Sequence, residues 1–122
     1  MQSVKCMDFE EIEMLVASMG FPCSYNHFDA KAAPPLPCVV FYYDTRKDFI
    51  ADDVIYAKIV SLTVELYTRR KDLQAESQIE SVFRRAGMPY TKNEDFDDGV
   101  QAFCETYTTT IMLRGDGDGI QY

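Results

Sequence analysis

The chain has 122 residues, enough for one domain with its own hydrophobic core. Its 47% hydrophobic and 26% charged residues argue against disorder along the whole chain. The formal net charge of −8 disfavours nucleic-acid binding as the main task, and no apolar run is long enough to span a membrane.

The first eight residues lack a charged start followed by an apolar core, so no secretory signal is read and a cytoplasmic setting is expected. Residues 8–19 read as a helix. Asp8 is a good N-cap, and Glu10, Glu11 and Glu13 lie near the positive end of the helix dipole. Phe9, Ile12, Leu15, Val16 and Met19 recur at helical spacing, and Gly20 with Pro22 supplies a stop. Residues 21–36 read as irregular, and the proline-rich run at 30–37 reads as an exposed connector. A proline-rich ligand for another domain is the sharper reading of that run, but one short stretch is thin support.

Residues 38–43 form a continuous apolar and aromatic run, which predicts a strand with both faces at least partly covered. Residues 44–48 read as a polar turn. A short strand is read within 49–56, interrupted by Ala51, Asp52 and Asp53. The clearest strand covers 59–68, with Val60, Leu62, Val64 and Leu66 on one face and Ser61, Thr63, Glu65 and Tyr67 on the other. Arg69, Arg70 and Lys71 are the sole basic cluster and read as a solvated corner between strand and helix.

Asp72 caps a second helix that runs to Ala86. Ala75, Ile79, Val82, Phe83 and Ala86 form its apolar stripe, Gly87 suits a left-handed cap and Pro89 blocks continuation. Residues 88–92 read as a short strand, 93–99 as an acidic loop and 102–113 as a long strand. On that last strand Phe103, Tyr107 and Ile111 share one side, and Cys104, Thr106, Thr108, Thr110 and Met112 the other. Neither side is strongly apolar, which places it at a sheet edge or beside a subunit contact. Together these elements predict a small α+β domain over residues 1–113, with a mobile Gly/Asp tail at 114–122.

Chemical motifs are sparse. Cys6, Cys23, Cys38 and Cys104 form no CxxC pair, so free thiols are expected. A zinc set of Cys23, His27, Cys38 and Cys104 can be drawn, but its spacing matches no metal module. Asp95, Asp97 and Asp98, or Asp116 and Asp118, lack the remaining ligands of a calcium loop and read as solvated charge. His27, the single histidine, is not placed beside a nucleophile by spacing, and no glycine-rich phosphate loop exists. Glu65 with Glu105 is a conceivable carboxylate pair on neighbouring strands. The expectation is therefore no enzyme, no cofactor and no metal. Eight tyrosines and a polar-aromatic sheet face point instead towards assembly.

Pro37 to Tyr43, Phe49 to Tyr56, Glu65 to Thr68 with Lys71 and Asp72, the helix stop at Gly87, and Tyr90 with Lys92 carry a family likeness. Over about residues 8–113 the chain resembles the tail-terminator, or tail-completion, proteins of long-tailed phages and prophages of low-GC Gram-positive bacteria. The resemblance implies a single mixed, mostly antiparallel sheet with two main helices packed on one face. It implies a ring, usually a hexamer, that ends tail-tube growth and offers a surface to the head connector. The implied partners are other copies of the chain, the tail tube protein and the connector protein, with no membrane and no specific nucleic-acid binding. The implied setting is the bacterial host cytoplasm during assembly and then the virion tail. On this footing the expected subunit interface draws on Val39, Phe41, Tyr43, Phe49 and Tyr67, around the sheet edge at 38–43 and the segment 44–53. The alternative is a monomeric, non-enzymatic binding or regulatory module.

Overall fold

In a computed structural model, residues 5–27, 35–51 and 54–114 are described, with side chains described for 5–27, 35–43 and 59–114. The order of elements is β1 (Lys5–Met7), α1 (Phe9–Ala17), β2 (Cys23–Tyr25), β3 (Cys38–Ala51), β4 (Val54–Thr68), α2 (Leu73–Arg85), β5 (Thr91–Asp97) and β6 (Ala102–Arg114). The fold is α+β, with six strands in one mixed sheet of order β1-β6-β4-β3-β2, and β5 also paired to β6. Two three-residue pairings are parallel, β1 to β6 and β2 to β3; the other three are antiparallel. β5 and β1 share one side of β6: β5 pairs with Ala102 to Thr108 and β1 with Ile111 to Leu113.

Both helices start where a side chain can take up a free backbone donor. Asp8 and Glu11 form a reciprocal capping box at α1, with bonds of 2.8 and 3.0 Å. Asp72 accepts the Ala75 amide at 3.0 Å at the start of α2. The end of α2 turns through Gly87 at φ +69, with the Met88 amide donating to Phe83 and the Gly87 amide to Arg84. That is the paired closure of a Schellman stop, and it needs a residue at ease in the left-handed region.

Opposed residues on paired strands share a face, so register defines the core. Val39, Phe41, Val60, Leu62, Val64, Leu66, Tyr107 and Ile111 fall on one side of the sheet. They form one hydrophobic cluster with Ile12, Val16 and Met19 of α1 and Ala75, Ile79, Val82 and Phe83 of α2. The alternation expected at β4 is thus the alternation observed.

The sequence expectation fails in several places. The strand expected at 88–92 begins only at Thr91. β6, expected at a sheet edge or beside a subunit contact, lies inside the sheet between β4 on one side and β5 and β1 on the other. Residues 44–48 continue β3 instead of turning, and β3 pairs with β4 from Cys38 and Tyr67 out to Ala51 and Val54. Register shifts between Thr45 and Lys47 and between Phe49 and Ile50 absorb the irregular pattern as bulges. The acidic stretch at 93–97 is strand β5, and the turn falls after it, at 98–101. Short strands β1 and β2 lie at positions given no strand. The proline-rich run falls partly, and the Gly/Asp tail almost wholly, outside the described residues. Among the described residues, no helix is long and apolar enough to cross a membrane.

Candidate functional site

β5 and β6 bring Glu94 directly opposite Glu105, on the same side of the sheet as the core. The first turn of α2 adds Glu76. Carboxylate oxygens of Glu76, Glu94 and Glu105 all lie within 4.8 Å of one another. Glu76 is 2% exposed and Glu105 0%, so two of the three have left water almost completely. Each is expensive to bury as an ion unless donors meet it.

Lysines supply those donors. Lys71, one residue before the Asp72 cap, sets its Nζ 2.8 Å from Glu76 Oε2 and 3.1 Å from Glu105 Oε1, and also donates to Glu94 Oε1. Lys92, two residues from Glu94 on β5, reaches Glu76 Oε1 at 2.6 Å and Glu80 Oε2 at 2.8 Å. Glu80 Oε2 also accepts the buried Tyr107 hydroxyl at 2.8 Å. Glu105 Oε2 is buried and, among the described residues, has no donor.

These contacts shift the proton equilibria. Burial, then the neighbouring Glu94, pushes the Glu105 carboxyl up to about 7. Glu94 is held low, first by the neighbouring Glu105 carboxyl and then by Lys71. Burial alone would raise Glu80, but the bonds from Lys92 and Tyr107 outweigh it and keep it low. Lys71 is raised by Glu76 and Glu94. Tyr107 is raised by burial and by Glu80.

The other side of the sheet carries a second polar arrangement. Glu65 accepts the Tyr67 hydroxyl at 3.0 Å and the Tyr42 hydroxyl at 3.3 Å. Burial, then Cys104 and Glu65, raises Tyr67. A cavity of about 400 Å³ borders Glu65 and Tyr67, lined further by Leu36, Cys38, Val40 and Val100.

The residues expected at a subunit interface do not form one patch. Val39 and Phe41 are 0% and 2% exposed within the core of the chain itself, which removes them as a docking surface. The continuous apolar run at 38–43 gave no sign of which face was buried. Tyr43 is half-buried against the same core, with its ring 5.5 Å from Tyr25 and 6.2 Å from Phe9. Tyr67 lies on the opposite side of the sheet, half-buried. Phe49 belongs to β3 opposite Ala57, and its side chain lies outside the described ones.

Glu65 and Glu105 are not a pair. Glu65 opposes Thr106 while Glu105 opposes Leu66, so the two carboxylates point to opposite sides of the sheet. Cys38 and Cys104 flank Tyr67 on its two neighbouring strands, while Cys23 packs against the core. Those cysteines and exposed His27 therefore do not converge. Asp95 and Asp97 lie two apart on one face of β5, Asp98 falls in the turn, and Asp97 Oδ1 accepts the Gly99 amide at 2.8 Å. Asp116 and Asp118 lie outside the described residues. The glutamate and lysine network escaped sequence reading because its members are spread over 35 positions, from Lys71 to Glu105. The one available signal was parity: Glu105 sits among Phe103, Tyr107 and Ile111 on the apolar side of its strand. No protein-family model matches the chain, and no curated protein is significantly similar to it.

Proposed function

We propose that the chain is a structural phage or prophage tail protein, a subunit of the ring that caps the tail tube and meets the head connector. The reading rests on the resemblance over residues 8–113 and on one structural observation, the two unlike open edges of the sheet. On one side β5 is the outermost strand over its whole length, and all seven of its residues are exposed. On the other, β2 covers only Val39 to Phe41 of β3, and among the described residues no strand pairs with the rest of that edge. Unlike edges on one molecule suit a head-to-tail contact, which closes into a ring when the rotation per subunit divides the circle. Residues of both helices join the core cluster, and on this reading the other sheet side would be left to face a neighbour or the passage.

The chain would act without catalysis, in the host cytoplasm during assembly and afterwards in the virion tail. Its charge of −8 suits a DNA passage that must not hold its cargo. The tail tube protein and the head connector would be its partners.

Light scattering over a wide concentration range, with electron microscopy in the presence and absence of purified tail tubes, tests this reading. Rings, free or on tube ends, are the expected result. A monomer in every condition, with bare tube ends, overturns it and favours a monomeric binding module.

A further inference from the structure

We propose that Glu76, Glu94 and Glu105 form a binding site for a hard divalent cation, with the Lys71 ammonium standing in when the ion is absent. The geometry is that of a three-carboxylate cage. Oxygens from a helix start and two neighbouring strands lie within 4.8 Å of one another, and Lys71 Nζ touches all three side chains. Donors that are all carboxylate oxygens suit Ca²⁺, Mg²⁺ or Mn²⁺ over the softer metals that prefer nitrogen or sulfur.

A second observation points the same way. Glu105 is completely buried, yet its Oε2 receives no hydrogen bond among the described residues. Such an oxygen requires a cation or a proton. The lysines cannot meet the need. Glu76, Glu80, Glu94 and Glu105 carry four negative charges when ionised, while Lys71 and Lys92 carry two positive ones. Replacing the single charge of Lys71 by a divalent ion removes one of the two uncompensated charges. Held by both Glu105 oxygens, the ion would also give the orphan oxygen a partner.

The cage has a way in. Glu94 and Lys71 are 44% and 41% exposed at their side chains, whereas Glu76 and Glu105 form the buried floor. Lys71 sits on the exposed corner before α2, so its ammonium can swing into water without moving a strand or the helix. Lys92 stays behind to hold Glu76 and Glu80. This inference is independent of the assembly reading, because the site lies within a single chain.

Mn²⁺ serves as the probe, followed through loss of the free-ion electron paramagnetic resonance signal on titration into the full chain at pH 8. One ion should bind per chain, with a dissociation constant of about 10⁻⁴ to 10⁻³ M, the range of weak oxygen-ligand sites. Lys71→Met should tighten binding at least about tenfold by removing the competitor, and Ca²⁺ or Mg²⁺ should displace the probe. Glu94→Gln, at an exposed position where folding is not at stake, should weaken binding about tenfold or more. Glu105→Gln should abolish it. The proposal is overturned if the wild-type chain leaves the Mn²⁺ signal unchanged at about 1 mM. It is equally overturned if Glu94→Gln binds as tightly as wild type, or if neither Ca²⁺ nor Mg²⁺ competes.

Discussion

Glu94 on β5 stands directly opposite Glu105 on β6, and Lys71 donates to both carboxylates. Like charges directly across an antiparallel pair oppose strand association. The lysine offsets that repulsion from one side only, since among the described residues Glu105 Oε2 has no donor. The pairing of β5, an outermost strand, therefore depends on the charge state of a buried residue on the strand it pairs with.

The pH dependence of stability follows from this pair. Glu105 is raised from 4.5 to about 7. Between those values the folded chain binds a proton that the unfolded chain has released, so stability falls as pH rises through this window and levels off above it. Glu80 works in the opposite sense. Its carboxyl is held low, so its contribution is present above the usual glutamate range and is lost as pH falls through its folded value. Urea unfolding in the presence of a chelator should show declining stability from about pH 5 to pH 7. Glu105→Gln should flatten that slope; a slope unchanged in the variant would assign the titration elsewhere.

Gly20 and Gly87 both follow helices with positive φ, at +90 and +69, but their surroundings differ. A methyl carbon at Gly87 would meet nothing within 4 Å, so Gly87→Ala should destabilise by about 1 kcal/mol from backbone strain alone. At Gly20 the same carbon would lie 2.6 Å from Gln78 Nε2, which itself donates to the Met19 carbonyl at 2.6 Å. Gly20→Ala should therefore lose about 2–3 kcal/mol, the strain plus a broken link between α1 and α2. Equal losses in denaturant titrations of the two variants would show that the Gln78 contact adds nothing.

On the other side of the sheet, the hydroxyls of Tyr67 and Tyr42 both donate to Glu65, at 3.0 and 3.3 Å. Tyr67→Phe keeps the ring and removes the donor, and should destabilise by about 0.5–1.5 kcal/mol. Glu65→Leu removes the acceptor of both tyrosines. If Tyr67 acts through Glu65, adding Tyr67→Phe to Glu65→Leu should change stability much less than it does alone. Full additivity in that double-mutant cycle would break the link.

How far the chain could be read without its structure varies by element. α2 was legible because cap, stripe and stop agree: Asp72, then Ala75, Ile79, Val82 and Phe83, then Gly87. β4 was legible because Val60, Leu62, Val64 and Leu66 alternate without a break. β3 was cut short because Asp44, Arg46, Lys47 and Asp48 look like a turn, whereas in the hairpin the partner strand supplies the pairing that propensity does not. The glutamate and lysine network was invisible for a related reason. A strand glutamate reads as exposed; parity with Tyr107 and Ile111 was a weak sign to the contrary, and the pairing register opposite Leu66 is what fixes Glu105 on the buried side.

Lys92 makes a further test of that network, because it holds two of its glutamates and lies over the Tyr107 ring. Its ammonium reaches Glu76 and Glu80, and it lies 5.7 Å from the centre of the Tyr107 ring. Lys92→Met keeps much of the aliphatic stem and removes the charge. Glu76, with a side chain only 3% exposed, would then rely on Lys71 alone. The expected destabilisation is about 1–2 kcal/mol, moderated because Lys92 itself is partly solvated. Lys71→Met with Lys92→Met should lose more than the sum of the single variants, since the second change leaves Glu76 with neither lysine. Strict additivity in thermal or urea unfolding would mean that the two lysines do not share the burden of Glu76.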